Sequence, residues 1–205
     1  MMNSENTCAA ILAGGGSTRM GEDKGNLIVG GFTVEERIME ELGCLTSFVV
    51  LNKNKKSLFE IPTIPDVYED AGPLGGLHAV IEARNEEWFI VSACDTPFID
   101  RNVYQHLMRF ICEGTQAVIP VYDGRFQPLS GIYHKSVSDE LTALLQAGHR
   151  KVAKLLDNVN TYYVTDFNSL PKKTVENHFF NMNTPGDYEL AQRMVKNQAR
   201  SRHFP

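Results

Sequence analysis

Short apolar runs that end in glycine-rich or polar turns recur along this chain, and helical apolar spacing lies between them. The clearest runs cover residues 8–13, 47–51 and 88–93. Each is too short for a helix and has the continuous apolar character of a strand buried in a parallel sheet. Between the first two runs, Thr33 predicts the N-cap of a helix that runs through Leu42. The pattern indicates an α/β fold.

The rest of the chain continues this pattern and adds a hairpin. A short strand around residues 63–64 lies between two prolines, which is a poor context for a central strand. Strands after residue 116 are expected to pair antiparallel around the turn Asp123–Gly124, so the sheet should be mostly parallel with an antiparallel addition. The other predicted elements are helices over 74–83, 101–111, 136–147 and from Pro185 onward, and strands over 26–29, 117–121 and up to Tyr133.

Length and charge narrow the class of protein. The 205 residues suit one domain over residues 1–205, with polar tails at 1–6 and 197–205 expected to fray. A formal charge of −5 argues against nucleic-acid binding, which needs a basic footprint. There is no signal-peptide pattern and no run of membrane-spanning length, so we expect a cytoplasmic protein with no membrane partner.

Cysteine and histidine spacing gives no support to a disulfide framework or a zinc site. The four cysteines form no CxxC pair, and three of them lie in apolar or strand-like contexts, so we expect reduced core thiols. The six histidines show no HExxH or other paired metal spacing.

The most informative stretch follows the first strand. Gly14, Gly15 and Gly16 can turn sharply and direct backbone N–H groups at an anion, and Arg19 and Lys24 add two cations nearby. Glycines, amides and cations at a strand end are what a triphosphate requires. We therefore interpret residues 14–25, the phosphate loop, as a triphosphate-binding segment.

Two common phosphate motifs do not match this loop. A P-loop needs Lys directly after its second glycine, but Gly21 is followed by Glu22. A dinucleotide fingerprint that starts at Gly14 meets Arg19 where its third glycine should stand.

A second group of candidate residues follows other strands and turns. Asp95 lies between a buried strand and a helix, at the sheet edge where α/β proteins bind ligands. A carboxylate there needs a partner, and Mg²⁺ takes one or two carboxylates together with phosphate oxygens. Gly72 begins a glycine-rich junction into a helix. Asn181 and Asn183 alternate along an extended segment, so both are expected to face the same side.

Five separate strings in order resemble segments of the MobA family, the molybdenum cofactor guanylyltransferases. The resemblance covers residues 9–194, although GGFTVEERI at residues 30–38 departs from the family pattern just after the phosphate loop. The strings are LAGG-RMG-DKG within residues 12–25, GPLGG at 72–76, CDTP at 94–97, QAGHRKV at 146–152 and FNMNTP at 180–185.

The resemblance implies a three-layer α/β/α, Rossmann-like nucleotidyltransferase fold and transfer of GMP from GTP to molybdenum-bound molybdopterin. The N-terminal part would bind GTP with Mg²⁺, and the C-terminal part would bind molybdopterin. Molybdoenzyme assembly proteins are left open as partners. The implied roles are catalysis for Arg19, Lys24 and Asp95, metal binding for Asp95, nucleotide binding for Leu12, Ala13, Gly14, Gly15, Lys24, Asn52, Asp66 and Gly72, and pterin binding for Asn181 and Asn183, with Arg150 a weaker candidate.

Two alternatives stay open at this point. The first is the same fold with other substrates, such as CTP with a pterin or a nucleotide with a sugar phosphate. The LAGG string resembles the guanylyl members more than the cytidylyl ones. The second is a non-catalytic nucleotide-binding protein in cofactor delivery, against which the presence of both Lys24 and Asp95 counts.

Overall fold

The structure is a computed structural model that describes residues 4–13, 24–54 and 61–201, with side chains as far as residue 197. Its strands and helices alternate along most of the chain. The strands are β1 (Thr7–Leu12), β2 (Ile28–Val29), β3 (Phe32–Thr33), β4 (Phe48–Asn52), β5 (Thr63–Ile64), β6 (Trp88–Ala93), β7 (Ala117–Tyr122), β8 (Arg125–Phe126), β9 (Ile132–His134) and β10 (Thr161–Val164). The helices are α1 (Val34–Gly43), α2 (Gly72–Ala83), α3 (Arg101–Met108), α4 (Ser138–Gln146), α5 (Val152–Leu155), α6 (Lys172–His178) and α7 (Pro185–Ser201).

The main sheet has eight strands, seven of them in the order β10-β7-β9-β6-β1-β4-β5, with β8 paired to β7. Strand β1 pairs in parallel with both β4 and β6, whereas β9 runs antiparallel to β6 and β7. This arrangement confirms the mostly parallel sheet with an antiparallel addition. The short strand β5 lies at the sheet edge, where the prolines at 62 and 65 are tolerated.

Helices cover both faces of the sheet and give the predicted three layers. Successive side chains of β1 point to opposite faces: Cys8 and Ala10 pack with α2 and α4, and Ala9 and Ile11 pack with α1 and α3. A fully buried β1 is therefore apolar at nearly every position, which explains why its sequence shows no alternation.

Several local predictions are confirmed. Helix α1 has the predicted Thr33 cap, completed by Glu36 in a reciprocal capping box. The hairpin turn at Asp123–Gly124 has the positive φ angles that such turns need. Helix α2 has Pro73 in its first turn, as predicted, but begins at Gly72, two residues before the predicted start.

Other elements differ from the sequence prediction. Helix α3 ends at Met108 rather than Ile111, because the next residues form tighter turns in which Arg109 and Phe110 donate to carbonyls three residues back. The predicted strand over 26–29 is a 3₁₀ turn followed by the two residues of β2. The sequence did not predict strand β10 or helices α5 and α6. They have too few buried apolar positions to show a strand or helix periodicity.

Helix α7 continues beyond Lys196 to Ser201, into the segment expected to fray. None of the described helices is both long and apolar enough to cross a membrane.

Candidate active site

The carboxyl ends of three central strands meet at one edge of the sheet. Leu12, at the end of β1, pairs with Asn52 of β4 and Ala93 of β6. The N–H of Ala13 donates to the carbonyl of Asn52 over 3.0 Å, and the N–H of Cys94 donates to the carbonyl of Leu12 over 3.2 Å. The register therefore aligns three candidate segments that are far apart in sequence.

At this edge Lys24, Asp95 and Asn183 lie together, and we call them the Lys24 cluster. The Lys24 Nζ atom donates to the Oδ1 atom of Asn183 over 2.8 Å and lies 3.5 Å from the Oδ2 atom of Asp95. The Lys24 and Asp95 side chains are only 12% and 23% exposed. One lysine thus joins the phosphate loop, the turn after β6 and the C-terminal motif.

The backbone holds Asn183 in the cluster. The N–H of Met182 donates to the carbonyl of Asp95 over 2.8 Å, and the Met182 side chain is buried in the core. The carboxylate of Asp187 accepts from the backbone N–H groups of Asn183 and Thr184 at the start of α7. Hydrogen bonds from Thr184 hold the pKa of Asp187 below its usual value.

Burial raises the pKa of the Asp95 carboxyl, and the nearby ammonium of Lys24 opposes that shift only in part. The ionised carboxylate is therefore stabilised incompletely by its protein surroundings. An additional cation at this position would stabilise it further.

A separate group of polar side chains fixes Asp66 beyond the end of β4. Asn52, which is fully buried, donates through Nδ2 to the Oδ1 atom of Asp66 over 2.9 Å. Asn54 donates to the other carboxylate oxygen over 3.0 Å and accepts from the Asp66 N–H. Asn52 thus holds Asp66 in place, and Asn54 is a supporting residue that sequence reasoning missed.

The backbone at position 72 favours glycine for a structural reason. Its φ angle is +61°, and a Cβ atom there would lie 3.3 Å from the carbonyl oxygen of Arg150. The same carbonyl accepts from the N–H of Leu74 in the first turn of α2. The GPLGG and QAGHRKV strings therefore meet through the backbone of Arg150, whose side chain is exposed.

A pocket of about 190 Å³ opens beside Asp95. We call it the neutral pocket because its described lining residues include no lysine or arginine, and Asp95 is the one carboxylate among them. Asn181 faces it, while the neighbouring Asn183 contacts Lys24 instead. Both asparagines are exposed and the residue between them is buried, as the predicted alternation requires. The pocket is lined by Ala93, Asp95, Thr96, Gln127, Pro128, Leu129, Ser130, His178, Phe179 and Asn181.

His178 and Ser130 form a hydrogen-bonded pair in the pocket wall, but not a catalytic one. The Nδ1 atom of His178 accepts from the backbone N–H of Asp100 over 2.9 Å. The proton of the neutral ring is therefore on Nε2, which donates to the Oγ atom of Ser130 over 2.7 Å. Burial lowers the pKa of His178 to about 3. A ring in this state cannot take a proton from the serine through Nε2, so the pair cannot act as a nucleophile and base.

Some predicted site residues cannot be placed. Gly14, Gly15 and Arg19 lie outside the described residues, and their roles stay predictions. Within residues 4–13, 24–54 and 61–201, no group of three or more histidines, cysteines or carboxylates could hold a metal ion by itself. Among the described residues, Asp95 therefore does not belong to a complete set of metal ligands.

A protein-family model described as a MobA-like NTP transferase domain matches residues 9–161. The chain belongs to the MobA-like NTP transferase family. A Bacillus cytotoxicus protein named probable molybdenum cofactor guanylyltransferase is 34% identical over 186 residues, which cover 87% of this chain and 92% of the relative. The family resemblance seen in the sequence is confirmed, and so is the assignment to an enzyme of the nucleotidyltransferase class.

Solved structures support the same fold. The molybdopterin-guanine dinucleotide biosynthesis protein A of Archaeoglobus fulgidus superposes with a TM-score of 0.79 at 28% identity, covering 92% of this chain and 98% of that one. The 2-C-methyl-D-erythritol 4-phosphate cytidylyltransferase of Thermus thermophilus has a TM-score of 0.65 at 15% identity over 91% of this chain and 98% of that one. At that identity the second likeness shows the shared fold alone.

Proposed function

We propose that this enzyme transfers GMP from GTP to the terminal phosphate of molybdenum-bound molybdopterin and releases pyrophosphate. The observation that carries the proposal is the Lys24 cluster, in which a cation and a mostly buried carboxylate meet at the carboxyl ends of the central strands. The curated relative named as a guanylyltransferase supports the choice of substrates.

The reaction needs no nucleophile from the protein. An oxygen of the molybdopterin phosphate forms a bond to the α-phosphorus of GTP, and the bond from that phosphorus to the bridging oxygen of the β-phosphate breaks. The electron pair leaves with pyrophosphate. The protein must align two polyanions and neutralise their charge, which is where most of the rate in phosphoryl chemistry arises. We assign to Lys24 the neutralisation of charge on the triphosphate and on the leaving pyrophosphate.

The residues present fit Mg²⁺ that arrives with the nucleotide. Asp95 supplies one hard oxygen ligand whose ionised form is incompletely stabilised, and phosphate oxygens would supply others. Bound there, Mg²⁺ would neutralise phosphate charge. In the described state Lys24 lies 3.5 Å from this carboxylate, so a bound nucleotide would compete with Asp95 for the lysine.

The two sides of the cluster differ in a way that suits two substrates. On the β4 side, Asn52 and Asn54 hold the Asp66 carboxylate, which we assign to nucleotide binding. We assign the backbone groups of Leu12 and Ala13 to contacts with the guanine ring. On the other side, the neutral pocket has apolar walls from Leu129 and amide groups such as Asn181, which suit an uncharged heterocycle. We place the pterin ring there, with its phosphate toward Lys24.

Nucleotide selectivity with turnover tests the proposal. In the presence of Mg²⁺, GTP should raise the melting temperature more than CTP, ATP or UTP, since only a ligand that binds the native state stabilises it. Pyrophosphate release should then require both GTP and molybdopterin. Stabilisation by CTP equal to or above that by GTP would refute the guanylyl assignment, and nucleotide binding without pyrophosphate release would favour a delivery protein.

A further inference from the structure

A buried ion pair between Lys53 and Glu35 lies next to Gly25, the last residue of the phosphate loop. The Nζ atom of Lys53 is 2.7 Å from the Oε1 atom of Glu35, and the two side chains are 7% and 0% exposed. Taking both charges out of water costs about as much as their attraction returns, so such a pair is weak evidence for stability. Its position in the fold suggests another role.

Glu35 is not needed to cap the helix on which it stands. The start of α1 is capped by Thr33 and Glu36, so the carboxylate of Glu35 is turned to other neighbours. One of them is Gly25, which directly follows Lys24: a Cβ atom at Gly25 would overlap the Glu35 carboxylate. The backbone that carries Lys24 is therefore packed directly on Glu35.

Lys53 connects the pair to the other part of the nucleotide site. It directly follows Asn52, the buried end of β4, whose side chain holds Asp66. A hydrogen bond also joins α1 to the segment that follows Lys24, because the N–H of Val34 at the start of α1 donates to the carbonyl of Leu27 over 3.0 Å. The ion pair thus joins the segment of Lys24 to the strand end that positions Asp66.

We propose that Glu35 and Lys53 are positioning residues that hold Lys24 opposite Asp95. The assignment of Lys24 to a nucleotide rests on the proposed function, whereas the connection through Gly25 rests on the packing alone. Glu35 and Lys53 act through Gly25 and Asn52 rather than on the reacting groups. Accurate placement matters in this chemistry, since a displacement of about 1 Å can cost roughly a hundredfold in rate.

The first test removes both charges together. Replacing a buried pair by apolar residues of similar length usually keeps the fold, so the double variant Glu35→Met with Lys53→Met should melt close to wild type. Its dissociation constant for GTP with Mg²⁺, measured without molybdopterin, should rise about tenfold. Its kcat should also fall, while the KM for molybdopterin stays unchanged. The control is Glu41→Met with Arg101→Met, which removes a 3.0 Å pair between α1 and α3 and should alter neither nucleotide binding nor kcat.

The second test leaves both charges in place and moves the backbone. Gly25→Ala inserts a methyl group where the Glu35 carboxylate lies, so it should weaken GTP binding in the same direction as the double variant. Gly43→Ala, on the same helix as Glu35, is the control because its added Cβ would meet nothing within 4 Å. Gly25→Ala decides the question if the double variant does not fold.

The outcomes separate this inference from the proposed function. If wild type binds a triphosphate other than GTP, the same variants are compared with that nucleotide, and only the substrate assignment is lost. Wild-type affinity in the folded double variant, or in Gly25→Ala when the double variant does not fold, would overturn the positioning role and leave the pair purely structural. If wild type binds no nucleoside triphosphate at all, both proposals fail.

Discussion

The Lys24 cluster and the neutral pocket lie side by side, share Asp95, and are built on opposite electrostatic principles. In the cluster, Lys24 and Asp95 are mostly buried charges that face one another at 3.5 Å. In the pocket, the buried imidazole of His178 is kept neutral, and no described lining residue carries a positive charge. The two asparagines of one motif divide between these regions: Asn183 contacts the cluster and Asn181 lines the pocket. The comparison shows that one short motif contributes side chains to two neighbouring regions of different charge.

The largest effect should come from the carboxylate that the two regions share. Asp95→Asn keeps the size of the side chain and removes its charge, so turnover should fall on the order of a thousandfold, since metal-assisted charge stabilisation is worth several kcal/mol. The melting temperature without ligand should change little, because asparagine tolerates the same turn. Pyrophosphate release and thermal melting measure the two effects. Near-wild-type turnover would remove the metal role from Asp95.

The neutral His178 in the pocket wall should make the folded protein less stable in acid. The pKa of His178 is about 3 in the folded protein against 6.5 for the free group, so below pH 6.5 the unfolded chain binds a proton that the folded chain does not. Its contribution to stability is therefore complete above pH 6.5 and is lost as the pH falls toward 3. Between pH 7 and pH 5 this amounts to about 2 kcal/mol.

The matching variant is His178→Gln, which has no imidazole to titrate. Denaturant unfolding at pH 7 and pH 5 should show a smaller loss in the variant than in wild type. Equal losses in both proteins would mean that the ring is already able to take a proton in the folded state, and the description of the pocket as neutral would be wrong.

The two asparagines test the division between the regions directly. Asn183→Ala should raise the dissociation constant for GTP about tenfold, because Lys24 loses a 2.8 Å hydrogen bond that orients it. Asn181→Ala should leave GTP binding unchanged and raise the KM for molybdopterin instead. Calorimetry with GTP alone and steady-state kinetics distinguish the two. If both variants affected only molybdopterin, Asn183 would belong to the pterin side, as the family resemblance implies.

The smallest effect is expected at Gly72, and it tests whether the nucleotide site reaches the start of α2. Gly72→Ala should lower stability by about 1 kcal/mol, because its φ is +61° and its Cβ would crowd Arg150. Gly148→Ala is matched, since its φ is +81° and its Cβ would meet nothing within 4 Å. If Gly72→Ala weakens GTP binding and Gly148→Ala does not, the nucleotide site extends to the start of α2.

Local signals in the sequence were sufficient where neighbouring residues decide the structure. The apolar runs located β1, β4 and β6, and the Thr33 cap and Pro185 located the starts of α1 and α7. Local signals failed for β10 and α6, whose few buried positions depend on packing against distant elements. They also failed for Asn54, Ser130 and His178, which carry no motif and gain a role only from their spatial neighbours.

By itself, the sequence determined the α/β class, the family, and which residue types stand at the strand ends, because glycines, caps and apolar runs act over a few residues. Only the tertiary structure decided which of these residues meet. Lys24 and Asn183 are 159 positions apart, and their contact exists because β1 and β6 pair in parallel and Met182 anchors the C-terminal motif to the turn of Asp95. The burial of Glu35 and the neutrality of His178 have the same origin, since desolvation depends on everything packed around a group rather than on its place in the chain.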